Sequence, residues 1–519
     1  MQYDTIVIGA GHNGLAAAIL LAKQGKSVLV LEKNAVPGGM AANGEIAAGV
    51  AGPQLAHLLG GLGKSEIDAL DLKRHGLNFA ARSIPTVVLD EGGRHILLDG
   101  DDASFADGVS HPDAEAFRAL RKRMARFGDK LATLTHRPPP RLDGLDLGEA
   151  ASLAKLAFGI RGMGKADARE FLRVLLSNAY DAILDEIDDG PLAGALGIDA
   201  VMGGHIGPRS PGTVLTMMYR LIGGGARHVP QGGVGGALRA FEKSAQAAGA
   251  EIRCGAGVRA ISVEDDRVTG VVLEDGSEIA AGSVLSSLDP RSTMMLAGPA
   301  HFDAEMVRRI RKIRAKGCTA KVNLVLDAAP RFAGLTAGHM AGRLLVTPSL
   351  DRMELAFNRA KYGELPDDPV LEVTIPTLSD PSLARDGKHI VSVVVQYTPY
   401  ELKEGWSDKT RAALADIVID TLARYDSGLG GHVVGTQILT PMDIERMTGA
   451  PGGHWHHGEM IADQMLMLRP APGIDRYALP VGGLFLCGAS CHPGGDVTAL
   501  PGCNAARIVL ADEKRRVAA

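Results

Sequence analysis

The feature that most restricts what this chain can fold into lies in its first forty residues: Gly9-Ala10-Gly11-His12-Asn13-Gly14, with Glu32 behind it. Tyr3 to Ile8 (YDTIVI) is a short β-branched apolar run, the pattern of a buried parallel strand, and the three glycines follow it at G-x-G-x-x-G spacing. Leu15 to Gln24 predicts a helix and Ser27 to Leu31 (SVLVL) a second strand, with Glu32 at its end. Each part has a mechanical reason. Gly9 permits the tight turn, Gly11 lets backbone approach a pyrophosphate, and Gly14 lets the helix lie close on the strand. A pyrophosphate would sit on the helix N-terminus, where free N–H groups and the dipole favour anions. Glu32 is placed to accept hydrogen bonds from a ribose 2′-OH and would repel a phosphate there. In a chain with 66 glycines the spacing alone is weak evidence; the order strand, turn, helix, strand, acid points to a dinucleotide.

At 519 residues the chain exceeds one compact core, so two domains are expected. With 55 Lys plus Arg against 60 Asp plus Glu, no strong field invites nucleic acid. No apolar run reaches membrane-spanning length, and the first strand starts too close to Met1 for a targeting segment, so a cytoplasmic enzyme is expected. Five scattered cysteines, an odd number, do not make a disulfide framework. The one close pair, Cys487 and Cys491, lacks partner ligands for zinc and reads as small buried hydrophobes; no metal is expected. Residues 40 to 60 hold no cysteine, which argues against the flavin disulfide reductases, whose redox pair follows the first glycine loop.

Further along, Thr86 to Leu98 reads as a hairpin turning at Glu91-Gly92-Gly93, and Asp113 to Leu134 as a helix that ends before Pro138-Pro139-Pro140. Residues 148 to 223 form helical stretches broken by Gly and Pro, the pattern of a helical cap. Within them Leu215 to Tyr219 fits either a core helix or membrane contact, and no basic face accompanies it. Glu251 to Leu285 predicts two hairpins; Lys321 to Asp327, Val370 to Ile375, His389 to Tyr397 and His432 to Leu439 predict a second sheet beside a helix from Ser407 to Tyr425. Gly483 to Arg507 reads as strand, glycine turn and helix.

Gly38-Gly39, just after Glu32, offers a second close backbone approach and resembles the extended fingerprint of FAD proteins with a glutathione-reductase type of Rossmann domain. Three separated segments carry a wider resemblance: GAGHNGLAAA with EKNAVPGG, VPQGGVGGAL, and HGEMIADQMLMLRP with LFLCGASCHPGGDVTALPGCNAA. On these the chain resembles the phytoene-desaturase-like FAD oxidoreductases, and within them looks most like the branch of pyridine nucleotide-disulphide oxidoreductase domain-containing protein 2. The resemblance implies an α/β fold: a glutathione-reductase-type Rossmann FAD domain (1–100, 225–295 and 480–519) interleaved with a mixed-sheet substrate domain carrying a helical cap (101–224 and 296–479). It also implies a non-covalent FAD. By carry-over Gly9, Gly11, Gly14, Glu32, Lys33, Gly38 and Gly39 would hold its ADP end. Gly232, Gly233 and Val258 would add backbone contacts, and Gly488, Asp496 and Val497 would follow the ribityl chain and ring. Asp496 departs from the glycine expected in the family's G-G-G-V run.

Gly232 to Gly236 lacks both a clear preceding strand and a well-placed acid, so no separate NAD(P)H domain is expected. Electrons would then leave to an acceptor such as oxygen or a quinone, or return to the same substrate. The segment Gly453 to Glu459 (GHWHHGE) supplies candidate general bases or orienting groups in His454, His457 and Glu459, and His492 is a further candidate beside the ring. In an extended segment Trp455 and His457 would share one face, His454 and His456 the other, and only one pair could face the flavin. The expected function is FAD-dependent hydride transfer between a C–H bond of a small organic substrate and flavin N5, as desaturation, oxidation or isomerisation. Three alternatives stand beside it: a polyene desaturase or isomerase at a membrane surface, an oxidase of a smaller amine or alcohol, and a flavin-bound scaffold without turnover. Peripheral membrane contact and a homo-oligomer stay open.

Overall fold

A computed structural model describes residues 2–140, 147–384 and 386–518. Strand Gln2–Ile8 lies between two parallel neighbours, Val28–Leu31 and Glu278–Ser286. Glu251–Arg253 extends the sheet beyond Val28–Leu31, and Leu484–Leu486 runs parallel to the end of Glu278–Ser286. The hairpin strands Val258–Glu264 and Arg267–Leu273 complete it as an antiparallel flap. Val28–Leu31 is buried along its whole length, as a strand covered by helices on both faces must be.

Helix His12–Ala22 packs on this sheet through small residues, and the glycines set how closely. A Cβ at Gly14 would stand 2.1 Å from the Gly9 carbonyl oxygen, and one at Gly502, in the C-terminal helix Leu500–Ala518, 2.0 Å from that of Asn13. Two helices and the glycine turn thus close on one another at backbone contact.

The second sheet has eight strands in the order Val433–Leu439, Thr319–Leu326, His389–Gln396, Val370–Thr374, Arg343–Val346, Thr86–Val88, Ile96–Asp99, Asp102–Phe105. Its two faces differ in chemistry. Ala320, Val322, Leu324, Leu344, Leu371, Val373, Val391, Val393 and Val395 point to an apolar core shared with Leu414, Val418 and Leu422 of helix Asp408–Ala423. Alternate positions on the other face carry Thr319, Lys321, Asn323, Arg343, Glu372, Thr374, Ser392 and Gln396, all buried. Helices between Ala114 and Arg220 form the cap, with Phe117, Phe127, Phe171, Leu192 and Met218 in one core.

The mixed α/β architecture is the expected one, with two departures. The expected domain boundary at residue 100 falls earlier in space, because Thr86–Val88 pairs parallel with Arg343–Val346 and Ile96–Asp99 follows it into the second sheet. Four helices are not among the expected elements: Pro290–Ala297, Ala304–Arg311, Leu350–Lys361 and Pro441–Thr448. Each is started by a capping side chain, from Asp289, Asp303, Ser349 and Thr440, and those caps were the readable signal.

Gly14→Ala is expected to cost about 2–3 kcal/mol of stability, since the backbone it strikes cannot yield as a side chain would. A denaturant midpoint unchanged from wild type would contradict the close packing of helix on turn.

Candidate active-site cleft

A cleft with about 1740 Å³ of empty space, its mouth included, runs from the edge of the first sheet to the polar face of the second. At one end lie Glu32, Lys33, Asn34, Ala256, Gly257 and Val258; in the middle Gly9, Gly11, His12, Gly14, Gly38 and Gly39 meet Gly488, Ala489, Asp496 and Val497. The far end is lined by His57, Asp199, Arg220, Arg227, Arg343, Glu372, Trp455, His456 and His457.

The first two stretches fit a dinucleotide on their own geometry. Gly11 has nothing within 4 Å of where its Cβ would be, so its backbone faces open cleft, while Gly9 is wedged against the Ser287 hydroxyl. Glu32 accepts from the N–H groups of Ala10 and Asn34, both at 2.9 Å, which aims its carboxylate into the cleft and leaves lone pairs for hydroxyl donors. Gly38 donates to the Ala10 carbonyl at 3.0 Å, tying the second glycine pair to the first loop. Gly232 and Gly233 do not line the cleft. They begin helix Gly233–Ala247 with left-handed backbone, and Gly232 donates to Asp380. A strand, Arg227–Pro230, does precede them, but it belongs to a small antiparallel sheet and not to a second nucleotide fold.

The far end is a network of buried ions. Arg343 donates to Glu372 and, through both terminal nitrogens, to Asp199, at 2.8 and 3.3 Å. Burial pushes the Glu372 carboxyl up, but Arg343 and the hydrogen bond from His57 outweigh it and hold the group well below the usual carboxylate range. His57 places Nε2 3.0 Å from Glu372 and Nδ1 2.8 Å from the Lys321 ammonium nitrogen. Nδ1 also lies 3.1 Å from both the Ser392 carbonyl oxygen and the Thr374 hydroxyl, so both ring nitrogens are engaged. Burial, reinforced by Lys321, takes His57 down to about 4. Burial also drives the fully buried Lys321 well below an ordinary lysine, against the pull of Glu372. His57 is therefore neutral at neutral pH.

The expected catalytic residues divide. His457 lines the cleft, with burial lowering it to about 4, and so does His456. His454 and Glu459 lie behind the wall: His454 Nε2 is 3.1 Å from Glu459, which also accepts the His205 N–H at 2.9 Å. The even-odd division fails because the segment is not extended; it turns, with His457 at φ +54°. His492 stands away from the cleft, packed between the carbonyls of Leu466 and Leu134 at 3.1 and 2.9 Å. Asp496 adopts left-handed backbone, φ +63°, where the expected glycine would be unstrained, and its carboxylate lies 3.5 Å from Arg220 and 3.9 Å from His456.

His57, Asp199, Arg220, Arg227, Lys321, Arg343 and Glu372 were not singled out from the sequence. A lone charge inside an apolar strand run, as in AKVNLVL, VLEVT and GRLLV, is the signal that could have found three of them. Arg469 was missed too. Buried almost completely, it donates to six backbone carbonyls, those of His456, Gly458, Glu459, Gln464, Ala489 and Cys491, and so clasps the histidine loop to the C-terminal segment. Cys487 and Cys491 are buried, with burial lifting Cys491 to about 12, which makes it an inert thiol. Among the described residues no cluster could hold a metal ion, and no helix is long and apolar enough to cross a membrane.

A Rossmann sheet with a dinucleotide-shaped cleft opening onto a second, polar-faced domain defines the two-domain, dinucleotide-binding oxidoreductases. The family of NAD(P)-binding Rossmann-like domains matches residues 7–65. The chain is 34% identical over 546 residues to pyridine nucleotide-disulfide oxidoreductase domain-containing protein 2 of Rattus norvegicus, across 99% of this chain and 94% of that one, and it belongs to that family. It is also 25% identical to prolycopene isomerase 2 of an Oncidium hybrid cultivar, over 98% of this chain and 84% of that one. The solved structure of putrescine oxidase bound to putrescine superposes with a TM-score of 0.61 at 17% identity, over 99% of both chains, a likeness of fold.

Arg343→Met is expected to cost about 3–5 kcal/mol, because it strands two buried carboxylates. The sign of the pH effect follows from Glu372. Its lowered folded pKa contributes stability above the unfolded carboxylate value near 4.5, lost as pH falls through the folded value. Without Arg343, burial dominates, and acid unfolding should begin at higher pH; a variant with wild-type acid tolerance would contradict the network.

Proposed function

We propose that the cleft holds FAD non-covalently and that the protein is an FAD-dependent oxidoreductase acting on a C–H bond of a small organic substrate. The single observation that carries this is the continuity of the cleft from Glu32, past the Gly9 to Gly14 loop, to the ionic network around His57. Bound FAD would supply the redox chemistry, taking a hydride at N5. Glu32 would receive the ribose hydroxyls, Val258 and its neighbours the adenine, and the backbone of Gly9 to Gly14 the pyrophosphate. Gly488 and Val497, just ahead of the C-terminal helix, would lie along the ribityl chain and ring.

The far end is then left for substrate. When a substrate O–H or N–H accompanies the oxidised C–H, a proton must go to the protein. The Lys321–His57 pair is suited to take it: His57 lines the far end, Lys321 stands behind it against its Nδ1, and the Glu372 charge stabilises an added proton. Hydride and proton together account for the two electrons and two hydrogens removed. An acceptor such as oxygen or a quinone would later restore the oxidised cofactor.

The purified protein incubated with FAD should show a bound flavin spectrum. Gly11→Val should fold as wild type, since its Cβ meets open space, yet lose FAD affinity at least tenfold. No flavin binding by wild type, or equal binding by the variant, would sink the reading.

Lys321 allows a second check. Burial lowers its folded pKa below the unfolded value near 10.4, so at neutral pH the lysine costs stability, by an amount that shrinks as pH rises toward about 10.4. Lys321→Met should therefore raise the melting temperature at pH 7 while slowing anaerobic flavin reduction by about a hundredfold and removing its rise with pH. A stabilised variant with the wild-type rate and pH profile would rule out the Lys321–His57 pair as proton acceptor.

A further inference from the structure

The far end of the cleft carries three guanidiniums, and they are not equally engaged. Arg343 has its Nε on Glu372 and both terminal nitrogens on Asp199. Arg220 donates to the carbonyls of Asp199 and Met202 at 3.0 and 2.8 Å and to His456 Nε2 at 3.0 Å, with Nε 3.5 Å from Asp496. Arg227 differs. Its Nη1 donates to the Gly225 carbonyl at 2.9 Å, and its Nη2 stays 3.7 Å from Asp199, beyond hydrogen-bond range. A guanidinium has five N–H donors, and the rest of this set is unused.

Those donors are not lost in packed protein. The Arg227 side chain is 16% exposed and lines the cleft, and none of its nitrogens is among the buried atoms without a partner. Asp199 does not need them, because Arg343 already engages both its oxygens. The side chain lies against Gly60 of the cleft wall, where a Cβ would come within 3.1 Å of both its Cδ and its Nη1, which leaves Nε and Nη2 as the unengaged edge.

We infer that the substrate carries an anionic group, a carboxylate in the simplest case, and that the free edge of Arg227 receives it. The inference rests on the FAD reading above for which end of the cleft takes substrate. A planar fork of parallel N–H donors matches a carboxylate in two-point geometry, which a lysine or an amide cannot reproduce. A pure hydrocarbon at this end would strip water from the same donors and give nothing in return. The charge balance agrees. Along the cleft wall Arg220, Arg227 and Arg343 face Asp199, Glu372 and Asp496, three against three, with His57 and His456 neutral. An arriving anion tips this balance negative and so favours a proton on the Lys321–His57 pair, the group assigned to accept one.

The test uses butyrate, octanoate and benzoate, each against its primary amide, titrated into the flavin-loaded full chain while the flavin absorption band is followed. At least one carboxylate should perturb the band saturably, its amide binding at least tenfold more weakly. Arg227→Gln should lose carboxylate affinity at least tenfold while FAD affinity stays within threefold, and Arg227→Lys should fall between. Equal binding of acid and amide, or of wild type and Arg227→Gln, overturns the inference. So does a tenfold loss of FAD affinity in the variant, which would make Arg227 a cofactor ligand. The same titrations by calorimetry without added flavin judge Arg227 separately, so that failure of FAD to bind would overturn the cofactor reading alone.

Discussion

The far end of the cleft depends on one buried guanidinium. Residues 454–459 and 488–491 are irregular chain, and irregular chain inside a protein leaves carbonyl oxygens without the partners a helix or sheet would supply. Arg469 supplies them from a single planar group, reaching carbonyls of both segments at once. Burial takes this side chain down to about 10, which still leaves it charged at neutral pH; its hydrogen bonds go to carbonyl dipoles, with the Glu459 charge a smaller support. The consequence is positional. Trp455, His456 and His457 are held against Gly488 and Ala489 by an interaction that none of those residues makes with its own side chain.

The second sheet applies the same economy on a larger scale. Its four central strands alternate between an apolar core and a polar face, and both faces are buried there. A polar face out of water must find its own partners. It does so in a continuous chain from Lys321 through His57, Glu372 and Arg343 to Asp199. Such a network is a poor source of net stability, since desolvation offsets much of the attraction. What it provides is a fixed arrangement of charge on the floor of the cleft, with donors and acceptors already oriented before a substrate enters.

What could be read ahead of the structure follows from how local each determinant is. The Gly9 to Gly14 turn, Glu32 and the Gly38-Gly39 pair lie within a few dozen residues, and each has a backbone reason visible in the residue itself; all of them meet in the cleft. The ionic network joins positions 57, 199, 321, 343 and 372, which share no local pattern; strand pairing aligns 321, 343 and 372, and a loop at His57 and helix Pro191–Val201 bring the other two onto that face. The apolar runs around Lys321, Glu372 and Arg343 showed strands buried on both sides, but not what stood opposite each charge. The division of the GHWHHGE segment into two faces failed for a related reason. It assumed an extended backbone, while the turn at His457 rotates His456 and His457 into the cleft together and leaves His454 behind with Glu459.

Asp496 shows how a departure from a family pattern can be compensated within one chain. Left-handed backbone costs a residue with a Cβ about 1 kcal/mol, a cost that glycine avoids and aspartate bears better than most residues. In return the carboxylate stands 3.5 Å from Arg220, the last residue of cap helix Thr213–Arg220. Arg220 in turn hydrogen-bonds His456, whose other ring nitrogen faces Asp496. Burial lowers His456 to about 3 despite Asp496, and Arg220 lowers it further, so the ring stays neutral, with Nε2 3.0 Å from Arg220 and 3.1 Å from the Met202 carbonyl oxygen. These three residues come from the cap, the histidine loop and the Rossmann domain's last segment, and they close a triangle over the middle of the cleft. Any motion that lifts the cap must separate Arg220 from both partners. The aspartate in place of glycine therefore couples the position of the cap to the wall of the nucleotide site.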